Sequence, residues 1–134
     1  EGCDGVFRFL FHHDDDTSGQ RQSYGLFVQA NTGLSIERYV DNTGRAALVG
    51  VPPVDRWYHI AGVYDGARLR LYVDGELADS SGDARPARDK KSTLRIGYGY
   101  VAGEGALYGT IDEVAIYEKA LDADRVRAHF EAAK

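Results

Sequence analysis

The chain has no methionine, one tryptophan, one cysteine and three prolines among its 134 residues. Each scarcity excludes something. The lone cysteine, Cys3, cannot close an internal disulfide, so it reads as an ordinary unpaired residue near a terminus, with a reactive thiol or a bond to another chain as the alternative. No apolar run approaches the roughly 20 residues needed to cross a bilayer, so no membrane span is expected. No signal peptide opens the sequence, because Glu1-Gly2-Cys3-Asp4 is neither basic nor apolar; the expectation is a mature fragment or a cytoplasmic protein. Positive charge is also in deficit, with 16 Lys and Arg against 21 Asp and Glu and a net charge of −5. That balance offers no basic field to a phosphate backbone, so nucleic acid is not an expected partner.

Glycine and tyrosine are plentiful, at 16 and nine residues, as suits a sheet with many turns. The length predicts one domain over 1–134, large enough to bury a core without cross-links. Residues 57–75, WYHIAGVYDGARLRLYVDG, carry the strongest local signal. Trp57, His59, Ala61 and Val63 alternate with Tyr58, Ile60, Gly62 and Tyr64. Asp65-Gly66 then supplies a turn, Leu69, Leu71 and Val73 line one face of the return strand, and Asp74-Gly75 turns the chain again. Period-two alternation broken by Asp-Gly is the signature of antiparallel hairpins.

The remaining strands are expected at Val6–Phe11, Tyr24–Gln29, Leu34–Val40, Arg45–Val51, Glu76–Ser80, Thr93–Tyr98 and Ala106–Tyr117. Between them His12–Gln22 reads as a polar loop, and Pro52-Pro53 closes a strand because proline cannot sit inside a central ladder. Ser81–Lys91, with six ionisable residues and one proline, reads as a solvated, mobile loop. The C-terminus differs in kind. Asp122 is a good N-cap, Leu121 can staple onto Val126, Asp124 suits the first turn, and Val126 and Phe130 form a narrow apolar stripe. A short helix over Ala123–Ala132, docked on the sheet, is the expectation.

Three stretches together resemble the laminin G-like jelly roll of the concanavalin A-like lectin/glucanase superfamily. Trp57-Tyr58-His59-Ile60-Ala61-Gly62-Val63-Tyr64-Asp65-Gly66 is similar to that family's central WxHVAxxYDG strand. Leu69-Arg70-Leu71-Tyr72-Val73-Asp74-Gly75 is similar to its LxLYVDG return. Leu94-Arg95-Ile96-Gly97, with Gly109-Thr110-Ile111-Asp112-Glu113-Val114-Ala115-Ile116-Tyr117 and Ala120-Leu121, is similar to its closing pattern. The likeness runs from about Phe9 to Phe130. It implies an all-β fold, a two-sheet antiparallel jelly-roll sandwich with a short C-terminal helix. It also exposes a departure: the family's further N-terminal strands have no counterpart before Val6. A sandwich edge left open in this way invites another strand, from upstream chain or from a neighbouring molecule, unless the chain is a shorter natural variant.

Few residues suggest chemistry. Laminarinase-type glycoside hydrolases of the superfamily carry E-x-D-x-E on one strand, where alternation places acid and nucleophile on the same face. That motif is missing, and Asp112-Glu113 are adjacent and so point to opposite faces of a strand. No Ser/His/Asp or Cys/His arrangement is suggested either. Asp112, flanked by Ile111, Val114 and Ile116, is expected to be buried and therefore hydrogen-bonded, paired or metal-bound. The resemblance implies a structural Ca²⁺ there; satisfaction by loop N–H groups is the alternative. In His12-His13-Asp14-Asp15-Asp16, Asp14 and Asp16 are the better Ca²⁺ candidates, against the reading of a solvated, self-repelling loop. His59 reads as a core or interface histidine rather than a ligand.

For sugar contact a lectin-like sandwich needs a flat aromatic beside polar groups. Tyr98, Tyr100 and Tyr108 stand in or near the glycine-rich GYGYVAGEG loop, Gly97–Gly105, and are the candidate ligand-binding residues. The alternative is that the glycines shape a connection and the tyrosines fill edges of the core. Taken together, the expectation is a non-catalytic extracellular or cell- or virion-surface module that binds a glycan or protein ligand, with Ca²⁺ as a structural cofactor. The alternative is a structural assembly subunit, as in a fibre, sheath or capsid decoration, whose open edge a strand-donating neighbour completes. A glycoside hydrolase comes third.

Overall fold

The computed structural model describes residues 7–13, 24–29, 33–40, 43–50, 53, 55–85, 94–97 and 106–134. Eight strands and one helix lie among them: β1 (Phe7–His13), β2 (Tyr24–Gln29), β3 (Gly33–Val40), β4 (Thr43–Val49), β5 (Ile60–Tyr64), β6 (Arg68–Val73), β7 (Glu76–Gly82), β8 (Leu94–Ile96) and α1 (Ala123–Ala132). All pairings are antiparallel. One sheet runs β4-β3-β2-β1-β8 and the other β5-β6-β7. The two-sheet all-β sandwich with a C-terminal helix is therefore what the chain forms.

Alternation decides which side chains meet between the sheets. Leu34, Ile36 and Ala47 from the larger sheet pack with Leu69 and Leu71 from the smaller, ringed by Leu26, Val28, Val49, Ile60, Tyr64 and Val73. Gly62 marks the close approach of the layers: a Cβ there would stand 2.5 Å from Ile36 Cδ1 and 2.6 Å from Leu26 Cδ1. The opposite face of the smaller sheet is also covered. Val63 and Tyr72 pack against Val126 of α1, with Ala61 and Leu121 alongside. Ile60, Leu69, Leu71 and Val73 thus face the other sheet, while Ala61, Val63 and Tyr72 face the helix.

The two turns of this meander obey the Asp-Gly rule. Asp74 (φ 52°) and Gly75 (φ 81°) make the two-residue link between β6 and β7, with positive φ at both positions as a type I′ turn requires. Gly66 has φ 94°, and the Asp65 carboxylate accepts from the N–H groups of Ala67 (2.9 Å) and Arg68 (2.8 Å). The register of β7 shifts between Leu71 and Tyr72. Just past that irregularity Asp79 accepts from Leu48 N at 2.8 Å, so the outer strands of the two sheets, β7 and β4, are stitched by one side chain.

Helix α1 begins where its cap dictates. The Asp122 carboxylate accepts from Arg125 N at 2.8 Å, Asp124 occupies the first turn, and Val126 is buried.

Several expectations fail. Residues 106–117 form no strand: Asp112 to Ala120 are uniformly exposed where a strand would alternate, and Glu113 adopts φ 52°. Among the described residues no ladder runs along this stretch, and an extended segment without a partner is not held as a strand. The strand expected from Trp57 starts only at Ile60. The polar loop from His12 begins later, because His12 and His13 belong to β1, opposite Gly25 and Tyr24. The supposed solvated loop from Ser81 opens with the end of β7 and with Asp83, which is buried by an ion pair; residues 86–91 lie outside the described residues.

Candidate binding corner around Trp57

The chain entering β5 is held rigidly although it belongs to no strand. Asp55 takes φ 66°, unusual for a residue with a side chain, and turns the chain toward Arg56. The Arg56 guanidinium lies 4.0 Å over the Tyr58 ring and ion-pairs with Asp74. Tyr58 Oη donates to the Pro53 carbonyl at 2.8 Å. Asp74 also accepts from His59 N at 3.0 Å, while its own N–H donates to His59 O at 2.8 Å. Between these anchors Trp57 projects outward, 65% exposed. A fixed backbone presenting a solvent-facing indole beside a stacked guanidinium and a carboxylate provides a flat apolar surface flanked by hydrogen-bonding groups. Trp and Arg are the side chains enriched where binding energy concentrates, and a pre-ordered one loses little entropy on contact.

Of the sequence candidates, Tyr108 is 82% exposed and lies next to Leu107, whose N–H donates to Gly97 O at 3.0 Å. Tyr108 therefore stands close to the exit of β8. Tyr98 and Tyr100 lie outside the described residues, as do Asp14 and Asp16.

Asp112 is not buried among apolar neighbours as expected. It is exposed, and its carboxylate accepts from Glu113 N at 2.8 Å. The desolvation argument for a metal there falls away with the strand that was to bury it. Ca²⁺ takes about six to eight oxygen ligands. Among the described residues no group of three His, Cys, Asp or Glu side chains converges, so these residues alone do not fit the ion. His59 is half-buried at the seam with α1, as an interface histidine.

A charged cluster went unrecognised in the sequence. Arg38 of β3 shares the inward face with Leu34 and Ile36, and its Nη1 meets Asp83 Oδ2 at 2.9 Å. Arg85 grips the same carboxylate through Nε (2.6 Å) and Nη2 (2.9 Å), and its Nη1 donates to Val40 O at 3.1 Å. Tyr64 lies 3.9 Å beneath the Arg38 guanidinium, and its hydroxyl is shared by the carbonyls of Asp83 (2.9 Å) and Arg85 (3.1 Å). The hydrogen bond from Arg85 leads in holding the Asp83 carboxyl below its ordinary range, against burial, which pushes it up. The cluster joins the sheets, tying β3 to the chain that leaves β7. The signal was available: position 38 falls in the inward register of LSIERYV.

No helix among the described residues is long and apolar enough to cross a membrane. Comparison with known proteins adds three findings. The human adhesion G-protein coupled receptor D1 is 31% identical over 121 residues, covering 86% of this chain; the chain spans 14% of that receptor's length. A crystal structure of an S-layer domain-containing protein from Clostridium thermocellum, residues 221–444, overlays with a TM-score of 0.47 at 16% identity, covering 94% of this chain and 64% of that one. The laminin G-like family model of the concanavalin A-like lectin/glucanases superfamily matches residues 4–127. With that match over most of its length and a two-sheet antiparallel sandwich to accompany it, the chain belongs to the concanavalin A-like lectin/glucanases superfamily.

Proposed function

We propose that this domain is a non-catalytic binding or adhesion module working outside the cell or at a cell or virion surface, and that it meets its glycan or protein ligand at the Trp57 corner. The observation that carries the reading is an exposed indole on an anchored backbone, beside Arg56 and Asp74. Membership of a laminin G-like family, whose domains are generally binding modules, supports it, as does the sequence likeness to a receptor named for adhesion. Tyr108 offers a second exposed ring near β8, and Tyr98 and Tyr100 belong to the same proposal through their place in the loop that follows. The test is a glycan array probed with the wild-type domain and with Trp57→Ala and Tyr108→Ala. Loss of binding on Trp57→Ala with unchanged thermal unfolding supports the corner. Retention on Trp57→Ala and loss on Tyr108→Ala moves the site to the β8 end.

A second reading has its own observation. Val114, Ile116 and Tyr117 are about half exposed in a segment without a ladder among the described residues, and β5 is an outer strand of its sheet. Addition of a strand from a neighbouring molecule would cover such surface and make the domain an assembly subunit. Light scattering, with Ca²⁺ and then with a chelator, separates the readings: a multimer favours assembly, a monomer the binding module. A change of mass or of thermal unfolding with the chelator is the expected sign of a Ca²⁺ site completed by residues such as Asp14 and Asp16.

A further inference from the structure

Helix α1 seals the outer face of the smaller sheet through Val126, and one turn later through Phe130. The Phe130 ring lies 5.9 Å from the His59 ring, tilted by 45°. Its edge also fills the space over Gly75, where a Cβ would stand 2.9 Å from Phe130 Cδ1. Nδ1 of His59 is buried in this seam and has no hydrogen-bond partner. A neutral imidazole tolerates that with one unmet polar atom. An imidazolium would bury a charged N–H donor with nothing to accept it.

The groups facing His59 do not compensate such a charge. From the β6–β7 turn comes Asp74, whose carboxylate is already engaged by the His59 backbone N–H and by Arg56. From α1 come His129, whose Nδ1 is 3.1 Å from Tyr117 Oη, and Lys134, which lies 4.4 Å over the Phe130 ring. At the flank Glu76 is taken by Arg127 at 2.9 Å. The C-terminal end of α1 attracts positive charge weakly, and the His129 and Phe130 carbonyls are capped by Ala133 N. Burial above all, and then His129, lower the His59 pKa from its ordinary value, with Asp74 opposing.

We propose that His59 makes the seam between α1 and the smaller sheet an acid-operated latch: protonation at its buried Nδ1 releases α1 and uncovers Val63 and Tyr72. A histidine that resists protonation while docked favours the docked state above the free histidine pKa of about 6.5, and that preference is lost as pH falls below it. The helix is held to the sheet by few side chains, chiefly Val126 and Phe130, so it can open below the cost of global unfolding.

Hydrogen exchange of the intact domain at about pH 7.5 and about pH 5, corrected for intrinsic rates and compared with β6, tests the latch. Protection of the α1 amides is expected to fall several-fold at the lower pH while β6 holds. In His59→Gln, which keeps a polar but uncharged side chain, that step should vanish. Equal loss in α1 and β6, no loss in α1, or the same loss in His59→Gln overturns the proposal. Should the variant fail to fold, the wild-type His59 ring titrated by NMR decides alone: a midpoint at or above about 6.5 sinks the latch.

Discussion

Arg38 and Asp83 meet between the two sheets as a buried ion pair, Nη1 to Oδ2 2.9 Å, with side chains 5% and 0% exposed. They stand 45 positions apart in the chain, and each sits where it would be costly alone. Asp83→Asn removes the charge that two arginines share and leaves Arg38 buried against a neutral amide. Breaking a buried pair from one side costs about 3–5 kcal/mol, and urea unfolding of Asp83→Asn is expected to show a loss of that order. Replacing both partners by apolar residues, Arg38→Met with Asp83→Leu, should recover part of it, because the uncompensated charge goes with its partner.

Acid should weaken the fold through the same carboxylate and one other. Asp83 is held below its ordinary range, led by the hydrogen bond from Arg85. Asp65 is lowered to about 2, first by the Ala67 N–H, then by Arg70 and the Arg68 N–H. A depressed carboxylate stabilises the folded state above its unfolded pKa of about 3.9, and the contribution is lost as pH falls below that value. The urea midpoint is therefore expected to drop between about pH 4 and about pH 2, with a shallower drop in Asp83→Asn. An acid limb unchanged in that variant would remove Asp83 from the account.

Gly75 and Gly66 separate conformational strain from steric overlap. Both have positive φ, 81° and 94°, but a Cβ on Gly75 would meet the Phe130 ring whereas one on Gly66 would meet nothing within 4 Å. Gly66→Ala is expected to cost about 1–2 kcal/mol, the penalty of a left-handed residue with a side chain. Gly75→Ala should cost more, and Gly75→Val more again, read as thermal unfolding midpoints. Equal losses at the two glycines would mean that Phe130 yields freely.

Trp57→Ala tests a corner rather than a core. With 65% of the residue exposed, its removal is expected to change stability by less than about 1 kcal/mol. Leu71→Ala, fully buried between the sheets, is expected to cost about 2–5 kcal/mol. A Trp57→Ala loss as large as that of Leu71→Ala would place the indole against the core and withdraw it as a ligand contact.

The local features were legible because their causes are local. Asp74-Gly75 demands a tight turn wherever it sits, alternation over 69–73 marks a strand with one face inward, and Asp122 with Leu121 and Val126 writes the start of a helix that runs over Ala123–Ala132 as expected. The superfamily was legible for the same reason, since two of the three stretches that carry the resemblance are these turns and strands. Position 38 could have been read as an inward charge from its register alone.

Other features were not local. The alternation of 107–117 is as good as that of 69–73, yet only the latter has neighbours to pair with, and a strand is a property of the ladder rather than of the segment. Trp57 continues the alternation of β5 but falls beyond the point where pairing with β6 ends, so the indole faces solvent. Asp112 lost its burial with its strand. The chain's own residues determined the turns, the strand faces and the helix cap, because those depend on neighbours a few positions away. Only tertiary structure decided that Arg38 would find Asp83, that His59 would sit under Phe130 and that Trp57 would be left outside, because each depends on which surfaces reach one another across the sandwich.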